Sequence, residues 1–290
     1  MPGDQPDTRF VRPPQQLLDK VVTCALQSAG ARGAHTNGYW IESGTSVLVF
    51  VHQDTVVRVA RQRSSSAGLR RTQSLVDALP PLPFDVARSV GSAVDVDGHA
   101  AIPVMRLRGE HLSHGVRPPQ LRALLDAIHA IDPQPIRRYL AQRRSFIGGP
   151  AWESVLRQQV LPLLHESGRQ RARERIGALA DLPAVPLSVN HGDLTRRNLL
   201  WVDGRVSGVL DWDLTALEDP AEDAATLASS YGWSVLRHIT DAATAERASV
   251  FRRSFPLQLV AFALVNRRPS DEVARAVAYA DSRLRADDPS

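Results

Sequence analysis

The sequence predicts an α+β fold in two lobes, a small antiparallel sheet with helices followed by a larger, mainly helical part. Three observations lead there. Short β-branched runs crowd the N-terminal part, helical periodicity dominates from Arg117 onward, and one polar hairpin interrupts the helical part. No internal repeat and no long low-complexity linker competes with this division. The expected boundaries are an N-terminal lobe over 1–105, a connection over 106–110 and a C-terminal lobe over 111–290.

The elements follow in order. "PPQQLLDKVVTCALQSAG" has apolar residues at helical spacing, prolines at its start and Gly30 where a helix would stop. "YWI", "SVLVFV" and "TVVRVA" read as strands of an antiparallel sheet, joined through "ESGTS" and "HQDT". "SAGLRRTQSLVDAL" returns to helical period, after which "VARSVGSAVDVDGHAAIPVMRL" reads as two strands joined around Val96, Asp97 and Gly98. Beyond it, "QLRALLDAIHAI", "WESVLRQQVLPLLHE" and the stretch from Ala242 to Arg285 are helical. The polar termini, "MPGDQPDTRF" and "RADDPS", are expected to fray.

Composition excludes several classes. The net charge is +4, yet Lys20 is the only lysine among 35 basic residues, so the basicity reads as arginine bias. The most basic stretch, "GRQRARERIG", has helical composition, contains Glu174 and lacks the interleaved aromatics that stack on bases. No nucleic-acid partner is expected. No apolar run approaches the roughly 20 residues that span a bilayer, and the opening segment lacks the pattern of a secretory leader. With the single cysteine, Cys24, ruling out an internal disulfide, the expected location is the cytoplasm, away from membrane.

The chemistry concentrates in "VNHGDLTRRNLLWVDGRVSGVLDWD", Val189 to Asp213. Burying so many polar groups between Leu, Val and Trp is costly unless each is paired. Asp203-Gly204 is a strong two-residue hairpin signal. With that loop Val202 faces Arg205, Leu200 faces Ser207 and Asn198 faces Val209, which puts Asp211 diagonal to Asn198 on one face. A carboxylate beside an amide oxygen suits Mg²⁺, which takes its remaining ligands from water and substrate phosphates. The metal reading therefore implies a nucleotide.

Just ahead stands "HGDLTRRN", His191 to Asn198. Protein kinases carry His-Arg-Asp-Leu, three variable residues and Asn, where Asp positions the substrate hydroxyl and Asn holds Mg²⁺. Only Gly192 departs from that pattern. Asp193, Asn198 and Asp211 thus have the order and spacing of a base and two metal ligands. Taken singly, Asp193 reads equally as a turn cap and His191 as a core hydrogen-bond partner.

These residues, with "GVLDWD" and "DPAED" from Asp219 to Asp223, resemble the aminoglycoside phosphotransferase family, small-molecule relatives of protein kinases. The resemblance runs from about Tyr39 to Ser230 and implies a protein-kinase-like bilobal fold. By it, Asp193 is the catalytic base, Asn198 and Asp211 hold magnesium, and ATP or GTP donates the γ-phosphoryl group. "VMRLRGEHL" is similar to the family's lobe connection, which places Met105 and Leu107 against the base of the nucleotide. Ser43, Gly44 and Ser46 of "ESGTS" stand where a segment covers the phosphates, and Arg58 stands where kinases use lysine to grip them. The helix glutamate that pairs with that lysine is missing; its place falls at Thr72 or Gln73. Arg197, like Arg196, lies inside the catalytic loop and is assigned to offset charge on the transferring group. Asp219 and Asp223 are read as structural.

A small hydroxylated acceptor is expected, because "WDL" follows where protein kinases carry Phe-Gly. Glu218, Glu222, Asp241, Asp271 and Glu272 are the acids available to a cationic antibiotic. Trp201, Trp212, Tyr231 and Trp233 read as core before they read as a substrate wall. His111 and His114 lack the further ligands of a metal site. Three functions stay open: an antibiotic O-phosphotransferase, a metabolic kinase for an amino alcohol or sugar, and a nucleotide-binding pseudokinase.

Overall fold

The computed structural model describes residues 12–31, 38–42, 44, 46–112 and 115–285. Ser43, His114 and the ends expected to fray, save Arg285, fall outside the described residues. Helix α1 (Gln15–Ser28) precedes strands β1 (Tyr39–Ile41), β2 (Val47–His52) and β3 (Thr55–Ala60), then helix α2 (Ser66–Ala78) and strands β4 (Asp85–Val86), β5 (Val94–Val96) and β6 (His99–Met105). The antiparallel sheet has the order β1-β2-β3-β6-β5. Its hairpins turn where the sequence places them. The β5–β6 turn uses Asp97 at φ 51° and Gly98 at φ 81°, the double left-handed geometry of a tight two-residue loop.

Strand alternation then sorts the faces. Val57 and Val59 of β3 join Leu18, Val21, Val22, Ala25 and Leu26 of α1 in one apolar layer. Each fully buried Leu or Val there contributes about 1.5–3 kcal/mol. Val56, Arg58 and Ala60 therefore point the other way, Ala60 with Val56 toward α2 and Arg58 into a cleft.

The helical part begins with α3 (Pro118–His129) and continues through α4 (Trp152–Ser154), α5 (Glu166–Ala180), α6 (Pro220–Tyr231), α7 (Leu236–Ile239), α8 (Ala242–Val265) and α9 (Ser270–Arg285). Between α5 and α6 stand β7 (Ser188–Asn190), β8 (Leu199–Val202), β9 (Arg205–Val209) and β10 (Ala216–Glu218). Two corrections concern helices. The segment expected as one helix over "WESVLRQQVLPLLHE" is a single α-turn that widens to a π-helix at Val155–Val160, because Pro162 has no N–H to continue the ladder. The stretch from Ala242 to Arg285 divides at Arg267, whose φ is 50°, just before Pro269.

A third correction concerns α8. By length and composition this 24-residue helix is apolar enough to cross a membrane; here half of its most apolar window is buried, with Leu257, Val260 and Ala261 packed against α5 and α9 residues such as Ile176 and Ala280. One further pairing joins the two parts of the chain: β4 runs parallel to β9, with Asp85 opposite Gly208 and Val86 opposite Val209. The C-terminal end of α2 sinks Leu75, Val76 and Leu79 into the same core as Leu121, Leu124 and Trp201.

Candidate active site

A cleft of ≈1110 Å³ opens between the open face of the sheet, the 105–107 connection and the β8–β9 hairpin. Gly44, Ser46, Arg58, Met105, Leu107, Asp193, Arg197, Asn198 and Asp211 all border it. Of the residues assigned to the site from the sequence, Ser43 is outside the described set.

The loop after β7 is built on hydrogen bonds that its sequence can be read to need. The His191 and Gly192 N–H groups donate to the fully buried Asp223 carboxylate at 2.7 and 3.0 Å. The His191 ring bridges the Leu210 carbonyl at 2.9 Å and the Asp193 N–H at 3.2 Å. Those partners require a neutral ring with the proton on Nε2, and burial pushes its pKa down accordingly. Gly192 sits at φ +83°, where a Cβ would lie 2.8 Å from the Leu214 carbonyl oxygen. That contact explains the one departure from the kinase loop.

Asp193 follows. Its Oδ2 accepts from Asn198 Nδ2 at 2.8 Å, and the same amide nitrogen donates to the Asp193 carbonyl at 2.8 Å. With its NH₂ so engaged, Asn198 offers Oδ1 as its free-facing acceptor. Burial, then the nearby Asp211 charge, pushes the Asp193 carboxyl up to about 6, against the Asn198 hydrogen bond and the Arg197 charge. Asp211 is likewise pushed up to about 6 by burial and by Asp213, with Arg58 opposing.

The hairpin reaches this arrangement by another route than the one expected. Its turn does have two residues, Asp203 at φ 50° and Gly204 at φ 71°, with Val202 opposite Arg205. A bulge then shifts the register, so Leu200 faces Gly208 and Leu199 faces Val209, the place expected for Asn198. Ser207 is the extra residue, and its hydroxyl donates to the Arg108 carbonyl at 2.9 Å. The connection passes so close here that a Cβ on Gly109, at φ +135°, would meet Ser207 Oγ at 2.6 Å. Diagonal strand geometry thus does not aim Asp211; its own left-handed backbone, φ 60°, does.

Sequence reasoning gave no role to two further residues. Asp213 borders the cleft, and its Oδ1 accepts from Arg58 Nη2 at 3.3 Å, giving Arg58 a carboxylate partner in place of the missing helix glutamate. Its carbonyl accepts from Arg71 Nη2 at 2.8 Å. The repeated acid in "DWD" was the visible signal for Asp213; a partner 142 positions away left none for Arg71.

Asn198 Oδ1 and Asp211 suit a hard divalent cation such as Mg²⁺, which takes one or two carboxylates and leaves other positions to water and phosphate. Asp211 faces the cleft beside the like charge of Asp213, with Arg58 as the opposing cation, and this excess of negative charge is the observation that fits such an ion. Among the described residues no cluster of three or more His, Cys, Asp or Glu suits a metal held by protein alone.

The acids offered for a cationic acceptor are engaged elsewhere. Glu218 and Glu222 are buried, Asp241 caps α8, and Asp271 and Glu272 pair with Arg275 and Arg268 at 2.6 Å each. Trp201 and Trp212 are core residues, and His111 Nδ1 hydrogen-bonds the Leu199 carbonyl at 3.0 Å.

Residues 37–254 match the phosphotransferase enzyme family, APH. A 127-residue segment is 42% identical to viomycin phosphotransferase of Streptomyces vinaceus, over 40% of this chain and 43% of that protein, so the match spans less than half of that relative's length. The GDP complex of wild-type aminoglycoside 2'-phosphotransferase-IIIa superposes with a TM-score of 0.76 at 17% identity, covering 93% of this chain and 99% of that one. Macrolide 2'-phosphotransferase MphH from Brachybacterium faecium gives 0.64 at 18% identity, covering 88% and 94%. At those identities the likeness to solved structures is one of fold. The family match, by contrast, encloses β1 through α6 and the whole cleft between them, and the chain belongs to the APH phosphotransferase enzyme family of small-molecule kinases.

Proposed function

We propose that this kinase moves the γ-phosphoryl group of ATP or GTP to a hydroxyl of an antibiotic. One observation carries the reading: a cleft-facing carboxylate, Asp193, is held by Asn198 at 2.8 Å beside Asp211 and within the reach of Arg197's charge. Phosphoryl transfer asks little covalent chemistry of a protein and much positioning and charge stabilisation. The 1–105 lobe and the 106–110 connection hold the nucleotide, Met105 and Leu107 meeting its base, Arg58 its phosphates, with Gly44 and Ser46 over them. Asn198 and Asp211 hold Mg²⁺, which when bound offsets the charge of the β- and γ-phosphates. Asp193 orients the acceptor hydroxyl and takes its proton, and Arg197 offsets charge on the group in flight.

The acceptor is argued from the relative at 42% identity, a viomycin phosphotransferase. Viomycin therefore heads the panel, followed by kanamycin, streptomycin, gentamicin, macrolides, amino alcohols and sugars. Nucleotide turnover with Mg²⁺ is expected to be stimulated by an antibiotic, and Asp193→Ala to lower kcat about 10²–10⁴-fold. Turnover indifferent to that substitution defeats the mechanism. Transfer confined to amino alcohols or sugars moves the acceptor to metabolism and leaves the mechanism standing.

A further inference from the structure

Helix α2 supplies no acid to Arg58. At the two positions where one was sought, Thr72 and Gln73 are buried, and the Gln73 amide donates to Asp77 and to the Ala87 carbonyl, each at 3.0 Å. The carboxylate beside Arg58 comes from Asp213 instead, across the cleft. What the helix does supply is a cation. Arg71 donates from Nη1 to the Tyr139 carbonyl at 2.6 Å, and from Nη2 to the Asp213 carbonyl at 2.8 Å and Thr72 Oγ1 at 3.3 Å.

These contacts tie three separate parts of the molecule. Thr72 belongs to α2, Tyr139 to the turn after α3, and Asp213 to the segment carrying Asp211. A planar guanidinium spans two carbonyls in a way a single ammonium does not. The segment also needs outside ties, because Asp211 holds a left-handed φ of 60°, a conformation that costs an L-residue about 1–3 kcal/mol. His191 fastens its start at Leu210. Arg58 and Arg71 fasten its far end, one through the Asp213 side chain and one through its backbone.

We propose that Arg71 is a positioning residue, a latch by which helix α2 sets the Asp211–Asp213 segment against the sheet, replacing the helix acid to strand cation pair of protein kinases with a helix cation to metal-loop carbonyl contact. The proposal rests on the reading that Asp211 holds Mg²⁺. Arg71 touches neither nucleotide nor acceptor; it acts through Asp213. Its removal exposes two carbonyls that water can satisfy, so the fold survives while the aim of Asp211 loosens.

The test measures nucleotide affinity by titration with and without Mg²⁺, together with kcat and KM. Loss of a residue that supports a metal ligand typically costs about 10–100-fold in metal affinity or activity. Arg71→Ala is expected to lose about that factor from the Mg²⁺-dependent gain in affinity and from kcat, with Mg²⁺-free affinity unchanged. Arg71→Lys, whose compact ammonium can reach one of the two carbonyls, is expected to recover part of both. Should Arg71→Ala not fold, Arg71→Gln carries the same comparison. A gain left intact in Arg71→Ala, or an equal loss with and without Mg²⁺, overturns the latch. Asp211→Asn separates the two readings: if it too keeps the gain, the metal assignment is what fails.

Discussion

Two groups of acids flank His191, and the protein treats them in opposite ways. On β10 and the first turn of α6, Glu218, Asp219 and Asp223 are at most 4% exposed, and each is answered. Asp223 accepts two backbone N–H groups, Asp219 caps α6 and pairs with Arg247, and Glu218 accepts from Arg143 at 2.5 Å and from the Arg144 N–H at 2.9 Å. In the cleft, Asp193, Asp211 and Asp213 share Arg58 and Asn198 between them, and the first two are pushed up to about 6. A buried acid whose hydrogen bonds are complete holds structure. One left short of positive charge at a cleft is arranged for something that arrives.

The largest contrast this predicts is between Asp193→Asn and Asp223→Ala. The first is expected to remove turnover by the same two to four orders of magnitude as alanine, about 10²–10⁴-fold, with no loss of thermal stability. The second removes two charge-assisted hydrogen bonds worth about 1.5–3 kcal/mol each, so the melting temperature and the activity fall together. Thermal melts beside turnover check both. A destabilised Asp193→Asn, or an Asp223→Ala as stable as the native chain, would erase the distinction.

Glu222 sharpens the comparison because it breaks the rule of its own group. It is 5% exposed, and its Oε2 has no hydrogen-bond partner among the described residues. Burial, then Glu218, pushes it up to about 8; Arg144 and Arg143 oppose and Asp223 adds to the rise. The folded protein therefore holds a proton that an unfolded chain, with Glu near 4.5, would release. Stability from this group is full below pH 4.5 and is lost as pH rises through about 8. The slope inside that window approaches about 1.4 kcal/mol per pH unit. Glu222→Gln mimics the protonated form, so it is expected to match the native melting temperature at pH 4 and to exceed it by a margin that grows toward pH 8. Parallel curves for the two proteins would show that Glu222 is ionised throughout.

Much of this is legible in the sequence. The loop from His191 to Asn198 is local, so spacing alone brings Asp193 and Asn198 together, and the turns at Asp97-Gly98 and Asp203-Gly204 are encoded by their own residues. What escaped is non-local. The Ser207 bulge answers to the tight passage of Gly109, far away in sequence, and so the strand register past the turn was misread. The two-residue strand β4 pairs parallel to β9 with no local pattern to announce it. A cationic acceptor calls for carboxylates, so Glu218 and Glu222 are offered to it from the sequence; their burial depends on distant partners such as Arg143 and Arg144, which no local pattern announces.

The smallest expected effect concerns an acid from that same list that is neither in the core nor at the cleft. Asp241 stands before α8, where its Oδ1 accepts from the Thr244 N–H at 2.8 Å and its Oδ2 from the Thr244 hydroxyl at 3.1 Å. This satisfies one of the helix's otherwise unpaired first-turn donors, a contribution typically of about 1 kcal/mol. Asp241→Ala is therefore expected to lower the melting temperature by a few degrees, since about 1 kcal/mol shifts a domain of 150–250 residues by about 2–4 °C. KM for every acceptor should stay at the native value, because the carboxylate is already engaged in holding the helix end. A raised KM for a cationic antibiotic with an unchanged melting temperature would reverse that assignment and return Asp241 to the binding site, giving the cleft an acid it does not otherwise have.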